Sequence, residues 1–347
     1  MKNMKKHILA HIRLLQKALM RKRRRSNKVK KRINGRRRRK SSDKRNSRQY
    51  SNQAKIYEAI APQDFSVNNI AGIVNFIQNT DRYCRQNKIS LLKVNLDYVM
   101  QIDAFGIALI ISMLNKLSFR RIRYWGTYPD NDIAKQVIVD SGFLDLVKTN
   151  LQKPEKREIG NQLFMVGKDS VDSRSIGDAV KKAMANILGK ESVYPPVYED
   201  MLEISANSVE HANDYRFEKN WLISISVERN VLHFILADTG LGILANLRKK
   251  KAQVIRDWFV KNDADVLIDV FNRQYQSITG EVNRHKGLPV IFESFKDGFI
   301  SDLMVLTNKV MIDFKTCEAK ILHKGFNGVL YSWTISIDNY NNWRNSL

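Results

Sequence analysis

YEDMLEISANSVEHA, residues 198–212, is the stretch on which the fold turns; it follows Pro195-Pro196 and contains neither glycine nor proline. The diproline stops whatever precedes it, and the uninterrupted run predicts a helix. Leu202, Ala206 and Val209 fall at i, i+4 and i+7, the spacing of a stripe that faces a sheet. Glu203 and Asn207 are also four apart, so both project from one face beside that stripe. Ser205, Ala206 and Ser208 are small, which lets backbone or a ligand come close. A carboxylate and a carboxamide one turn apart can serve as a proton acceptor and a hard-oxygen ligand for magnesium. Alone, Glu and Asn at that spacing more often lie on a solvated helix face.

Downstream, Leu222 to Val227 alternates as a strand, and Val231 to Ala237 (VLHFILA) forms a second, joined through Glu228-Arg229-Asn230. The second strand runs directly into Asp238-Thr239-Gly240-Leu241-Gly242. Gly240 and Gly242 leave the backbone free to bend around a ligand, and Asp238 offers a directed acceptor. ExxxN on a helix, followed by strand-DxGxG, resembles the GHKL ATP-binding fold of gyrase, sensor histidine kinases and anti-sigma-factor kinases.

That resemblance covers residues 160–347 and implies an α/β sandwich that binds Mg-ATP. It implies that Asn207 ligates Mg2+ and that Glu203 orients or deprotonates the attacking nucleophile. Asp238 would accept from the adenine amino group, and Gly240, Gly242 and Gly287 would shape the pocket. Leu244 to Gly287 takes the place of the family's ATP lid, with Asp263 to Tyr275 helical and Arg248-Lys249-Lys250-Lys251 near the phosphates. The lid closes at Asn283-Arg284-His285-Lys286-Gly287-Leu288-Pro289, which keeps the family's Gly-Leu at Gly287 and Leu288. His285 or Lys286 replaces an earlier glycine. Either Lys286 or Arg284 adds a cation for phosphate, or the phosphate site is degraded. A helix over Val290 to Phe295 and strands over Asp302–Thr307, Lys309–Lys315 and Gly328–Ile337 complete the unit. Gly328-Val329 stands where the family often has Gly-Thr, which removes a hydroxyl near adenine.

The region before this unit reads as a smaller α/β layer. Asn69 to Asn87 is helical, Leu91 to Leu96 a strand, Ile107 to Leu117 an apolar helix, Arg121 to Gly126 a strand and Asp132 to Leu146 a closing helix. The Asp97…Ile102-Asp103-Ala104-Phe105-Gly106 pattern and the later Ser141-Gly142-Phe143 resemble a STAS domain, the fold of anti-sigma-factor antagonists. Ala104 occupies the family's phosphorylatable Ser/Thr position, so phosphorylation there is chemically excluded. The resemblance leaves a docking surface for a protein partner, made of the Asp103–Gly106 turn and the helix after it. The expected divisions are a basic tail at 1–52, a STAS-like domain at 53–150, a linker at 151–159 and the GHKL unit at 160–347.

Charge is unevenly distributed. Residues 1–48 hold 22 Lys or Arg against Asp43 alone, while the remaining 299 residues carry 37 basic and 34 acidic residues. Within the tail, Ile8, Ile12, Leu15 and Leu19 form one apolar stripe, the pattern of a short amphipathic helix. His11 and Arg13 interrupt it too early for a signal peptide. The clusters RKRRR and RRRRK, at 21–25 and 36–40, repel themselves and predict disorder. The tail holds no aromatic residue before Tyr50, so it can grip nucleic acid through phosphate but not through base stacking. The alternatives are a solubilising tail or contact with an anionic membrane surface.

No run of 18 apolar residues predicts a membrane span, and Cys84 and Cys317 form no disulfide pattern, so a reducing cytoplasm is expected. A homodimer is left open. Three functions compete: an ATPase or ATP-gated switch, an anti-sigma-type protein kinase acting on a separate partner, and a non-catalytic nucleic-acid-binding adaptor. Glu203 favours the first two, and Ala104 favours the first over the second.

Overall fold

The computed structural model describes residues 55–148, 157–159, 162–168, 171–211, 220–250, 261–272 and 287–347. Most of the tail and of the linker, and Lys286, lie outside these residues. The first unit runs β1 (Ile56–Ile60), β2 (Asp64–Phe65), α1 (Ile70–Gln86), β3 (Leu91–Asn95), β4 (Gln101–Ile102), α2 (Ala104–Phe119), β5 (Arg123–Gly126), α3 (Asp132–Asp140) and α4 (Phe143–Lys148). β1, β3 and β5 pair in parallel in that order, and β2 pairs with β4 separately. Asn69, Asp103 and Asn131 cap α1, α2 and α3, each side chain accepting an N–H of the first turn. Gly142, at φ 72°, ends the closing helix early, so the single helix expected over Asp132–Leu146 is two.

The Asp-x-x-Gly turn has a local structural reason. Asp103 accepts from the N–H groups of Val67 and Gly106, both at 2.8 Å. A Cβ on Gly106 would lie 1.9 Å from the Phe65 carbonyl oxygen. The pair is a helix cap and a close backbone crossing.

The second unit contains β6 (Arg157–Ile159), β7 (Gln162–Lys168), α5 (Ser173–Leu188), α6 (Pro195–His211), β8 (Asn220–Glu228) and β9 (Val231–Asp238). It continues through α7 (Ile243–Lys250), α8 (Asp263–Phe271), α9 (Gly287–Lys296), β10 (Ser301–Asp313), β11 (Glu318–Ile335) and α10 (Ile337–Asn345). The six strands form one antiparallel sheet in the order β10-β11-β9-β8-β7-β6.

Two sequence expectations need correction. Arg157–Ile159, read as linker, pairs with β7, so the sheet begins inside it. The strands expected over Asp302–Thr307 and Lys309–Lys315 are one strand, because Asn308 at φ 51° absorbs a bulge without ending the pairing. β11 also starts ten residues before the expected Gly328.

Both faces of the six-stranded sheet are buried. Ile223, Phe234, Leu236, Val305, Tyr331 and Trp333 pack with α5, α6, α8 and α9. Their alternate neighbours Leu222, Ile235, Ala237, Leu306 and Leu330 join the core of the first unit. That side is covered by α1, against β11, and by α2, against β8 and β9. The layers are therefore helices, antiparallel sheet, the α1/α2 layer, and the parallel sheet. Phe105 to Met113 of α2 are all buried, as an all-round apolar helix between two sheets must be. This overturns the expected docking surface: the helix after the Asp103–Gly106 turn is already occupied by the chain's own second sheet.

Candidate functional site

α6 begins at Pro195, where a missing N–H removes no helical bond. It lies against α5, α9, β8 and β9, so Met201, Leu202, Ile204, Ser205, Ala206 and Ser208 are all buried. Glu199, Glu203 and Asn207, spaced by four, stay partly exposed along one face. Glu203 and Asn207 were expected there; Glu199 was not, although the same spacing points to it one turn earlier. Burial and the charge of Glu203 push the Glu199 carboxyl up to about 7.

Asp200 lies behind this stripe, fully buried, with neither carboxyl oxygen in a hydrogen bond. Burial holds its carboxyl well above 3.8; Ser294 opposes that shift without meeting hydrogen-bond geometry, and Glu199, Glu203 and Glu293 reinforce it.

Ser208, one residue past Asn207, joins α6 to the end of β9. Its hydroxyl lies 3.1 Å from Asp238 Oδ2 and 3.0 Å from the Ile204 carbonyl, two acceptors for one proton. Asp238 Oδ1 accepts the Val329 N–H at 3.0 Å. Burial raises the Asp238 carboxyl to about 6, against the Val329, Ser208 and Gly240 donors that favour its charged form. Gly328 sits at φ 128°, and a Cβ there would fall 2.0 Å from the Asp238 carbonyl oxygen. The Gly-Val sequence thus lacks a side-chain hydroxyl, yet its backbone N–H reaches the carboxylate.

The loop after Asp238 is held by two residues that the sequence reading passed over as a strand break. Thr307 Oγ1 accepts the Ile243 N–H at 2.9 Å and donates to the Gly328 carbonyl at 3.1 Å. Asn308 Nδ2 donates to the Leu241 carbonyl at 2.7 Å, and its Oδ1 accepts the Ala245 N–H at 3.2 Å. Gly242, at φ 83°, admits that carboxamide, which would lie 2.6 Å from a Cβ. Gly240 is buried in the same loop. An Asn in the left-handed region inside an apolar strand was the available signal.

The phosphate end is only partly described. Gly287 opens α9, and Leu288 packs on the core. Lys286, Arg284 and His285 lie outside the described residues. Arg248 forms an ion pair with Asp263 at the start of α8, which engages the one cation of its cluster whose side chain is described. Among the described residues no group of three or more His, Cys, Asp or Glu is arranged to hold a metal ion. Mg2+ would therefore depend on Asn207 with phosphate and water oxygens, a ligand set typical of that ion. No protein-family model matches the chain, and no curated protein shows significant similarity to it.

Proposed function

We propose that this chain is an ATP-gated regulatory switch with slow ATPase activity in its second unit. The observation that carries the reading is the joint at Asp238, where α6, β9 and β11 meet. There a desolvated carboxylate, close glycine backbone and a clamped loop offer an acceptor for the adenine amino group. Asn207 immediately precedes the Ser208 that touches Asp238, so one nucleotide can span both. The fit to Mg-ATP is in the donor set: one carboxamide for the ion, one carboxylate for the base, and the α9 N-terminus for phosphate. Bound Mg2+ would neutralise charge on the phosphate oxygens. Glu203 orients a water and takes its proton, and the Glu199 carboxyl beside it limits the negative charge near the phosphates below about pH 7.

The switch reading gains from the position of β10. Thr307 clamps the Asp238 loop, while neighbouring Leu306 packs on the α1/α2 side. One strand thus touches both the nucleotide loop and the first unit. The burial of α2 within the chain speaks against a kinase that recruits its substrate through that helix.

Incubation of the protein with γ-labelled ATP tests the reading. Label is expected in free phosphate, with release reduced roughly 10²–10⁴-fold in Glu203→Ala. That variant should retain the thermal shift given by Mg-ATP, about 2.7 kcal/mol at a hundredfold excess over Kd. Label transferred to protein would support the kinase, and no shift at millimolar ATP would reject the nucleotide site.

The 22 cations of residues 1–48 support a second function, sequence-tolerant binding to a nucleic-acid backbone. If six to ten of them meet phosphate, affinity drops about 10³–10⁵-fold between 50 and 200 mM salt. Sedimentation with anionic vesicles and indifference to nucleic acid would assign the tail to membranes instead.

A further inference from the structure

The parallel sheet of the first unit has one covered face and one open one. Ala59, Leu92 and Val94 point into the core, and Tyr57 stacks on Tyr83 of α1 at 4.1 Å. The opposite face is set in register as rows: Ile56, Leu91 and Arg123; then Glu58, Lys93 and Trp125; then Ile60 and Asn95. Its polar groups satisfy one another. Lys93 Nζ lies 2.8 Å from Glu58 Oε1, Asn95 Nδ2 donates to the same oxygen at 2.8 Å, and Lys93 Nζ sits 5.3 Å from the Trp125 ring centroid. What remains unpartnered is apolar: Ile56 is 62% exposed, Ile60 59% and Trp125 48%. Parallel sheets are nearly always covered on both faces, and apolar groups gathered in this way mark an interaction surface.

We propose that residues Met4–Met20 of the same chain cover this face as a helix, with Ile8, Ile12, Leu15 and Leu19 turned onto Ile56, Ile60 and Trp125. The described chain begins at Lys55, on the edge strand of this sheet and next to Ile56. The stripe is thus tethered beside its surface through residues 21–54. A flexible chain of that length spans about 30 Å, whereas three strands are only about 10 Å across, so the tethered helix sits at roughly millimolar effective concentration. Ile8 to Leu19 rises about 17 Å as a helix, close to the length of a five-residue strand at about 3.3 Å per residue. Exposed Asp130 and Asp132 follow β5 and supply countercharge for Lys5, Lys6, Arg13 and Lys17. The clusters at 21–25 and 36–40 stay outside the contact, available to phosphate.

The test uses the full chain with the photoreactive residue benzoylphenylalanine in place of outward-facing Trp125, irradiated as an equal mixture of light and heavy isotope-labelled protein. Mass spectrometry should find Trp125 joined to a peptide from residues 4–20 with the same label on both sides. Adding Ile12→Asp and Leu15→Asp should reduce that product at least tenfold while leaving the thermal midpoint of the folded units in place. An Ile60→Asp variant should do the same from the other side of the contact. Mixed-label products would assign the face to a second copy and overturn the proposal. It is equally overturned by the absence of a tail crosslink, or by one that survives both sets of charge substitutions.

Discussion

At the scale of single residues, the acids of α6 show how position sets chemistry. Glu199, Glu203 and Asn207 share a partly exposed line, whereas Asp200, one residue off that line, is sealed between α6 and its neighbours. A buried carboxyl without a hydrogen bond is tolerable only while protonated. The folded state therefore holds protons that the unfolded chain gives up near 3.8 for Asp200 and 4.5 for Glu199. The stability that these groups contribute is complete below those values. It is lost as pH rises through the folded values, about 7 for Glu199 and about 6 for Asp238. Each proton kept only by the folded state steepens the decline by about 1.4 kcal/mol per pH unit inside its window. The thermal midpoint should accordingly fall between about pH 5 and about pH 8, and Asp200→Asn should make that slope shallower. Parallel melting curves for variant and wild type would show that Asp200 is ionised in the folded protein. Glu199→Gln extends the prediction to function: nucleotide affinity weakens through pH 7 in the wild type and loses that inflection in the variant.

At the scale of elements, much was legible because the local rules were obeyed. The α6 stripe, the β8–β9 hairpin and the glycines after Asp238 follow from spacing and turn chemistry. The Asn and Asp caps likewise fall where helices start. β1 was missed because Ile56, Tyr57, Ala59 and Ile60 are apolar toward both faces, leaving little alternation to read. β11 was shortened because Lys320, His323 and Lys324 obscure Leu322 and Phe326, the two residues of that stretch that reach the core. The Thr307-Asn308 clamp was missed for a related reason: inside a strand, polar residues suggest an end. Its importance can be measured. Thr307→Val keeps shape but leaves the Ile243 N–H without its acceptor, a loss of about 1–3 kcal/mol for a buried group. Reduced stability should be accompanied by a smaller Mg-ATP thermal shift. A variant destabilised to that extent with an undiminished shift would separate the clamp from the nucleotide site.

At the scale of the whole molecule, the sheet covered on both sides decides how the chain behaves. The near-continuous apolar run VLHFILA was the sign in the sequence that β9 has no solvent face. Spacing could not reveal that the covering layer would be α1 and α2 of the same chain, because that depends on contacts more than a hundred residues apart. The consequence is cooperative. Leu222, Ile235, Ala237, Leu306 and Leu330 share one core with the first unit, and Lys324 of β11 hydrogen-bonds Asn79 of α1. Calorimetry should therefore record one transition, with calorimetric and van't Hoff enthalpies in agreement. Leu330→Ala removes fully buried side-chain volume at this seam and should cost about 2–5 kcal/mol. Hydrogen exchange locates that loss: amides of β3 in the first unit and β8 in the second should lose the same protection. If β8 weakens while β3 keeps its protection, the units unfold separately. The seam would then be a contact between independent domains, and nucleotide binding in the second unit would have no energetic hold on the first.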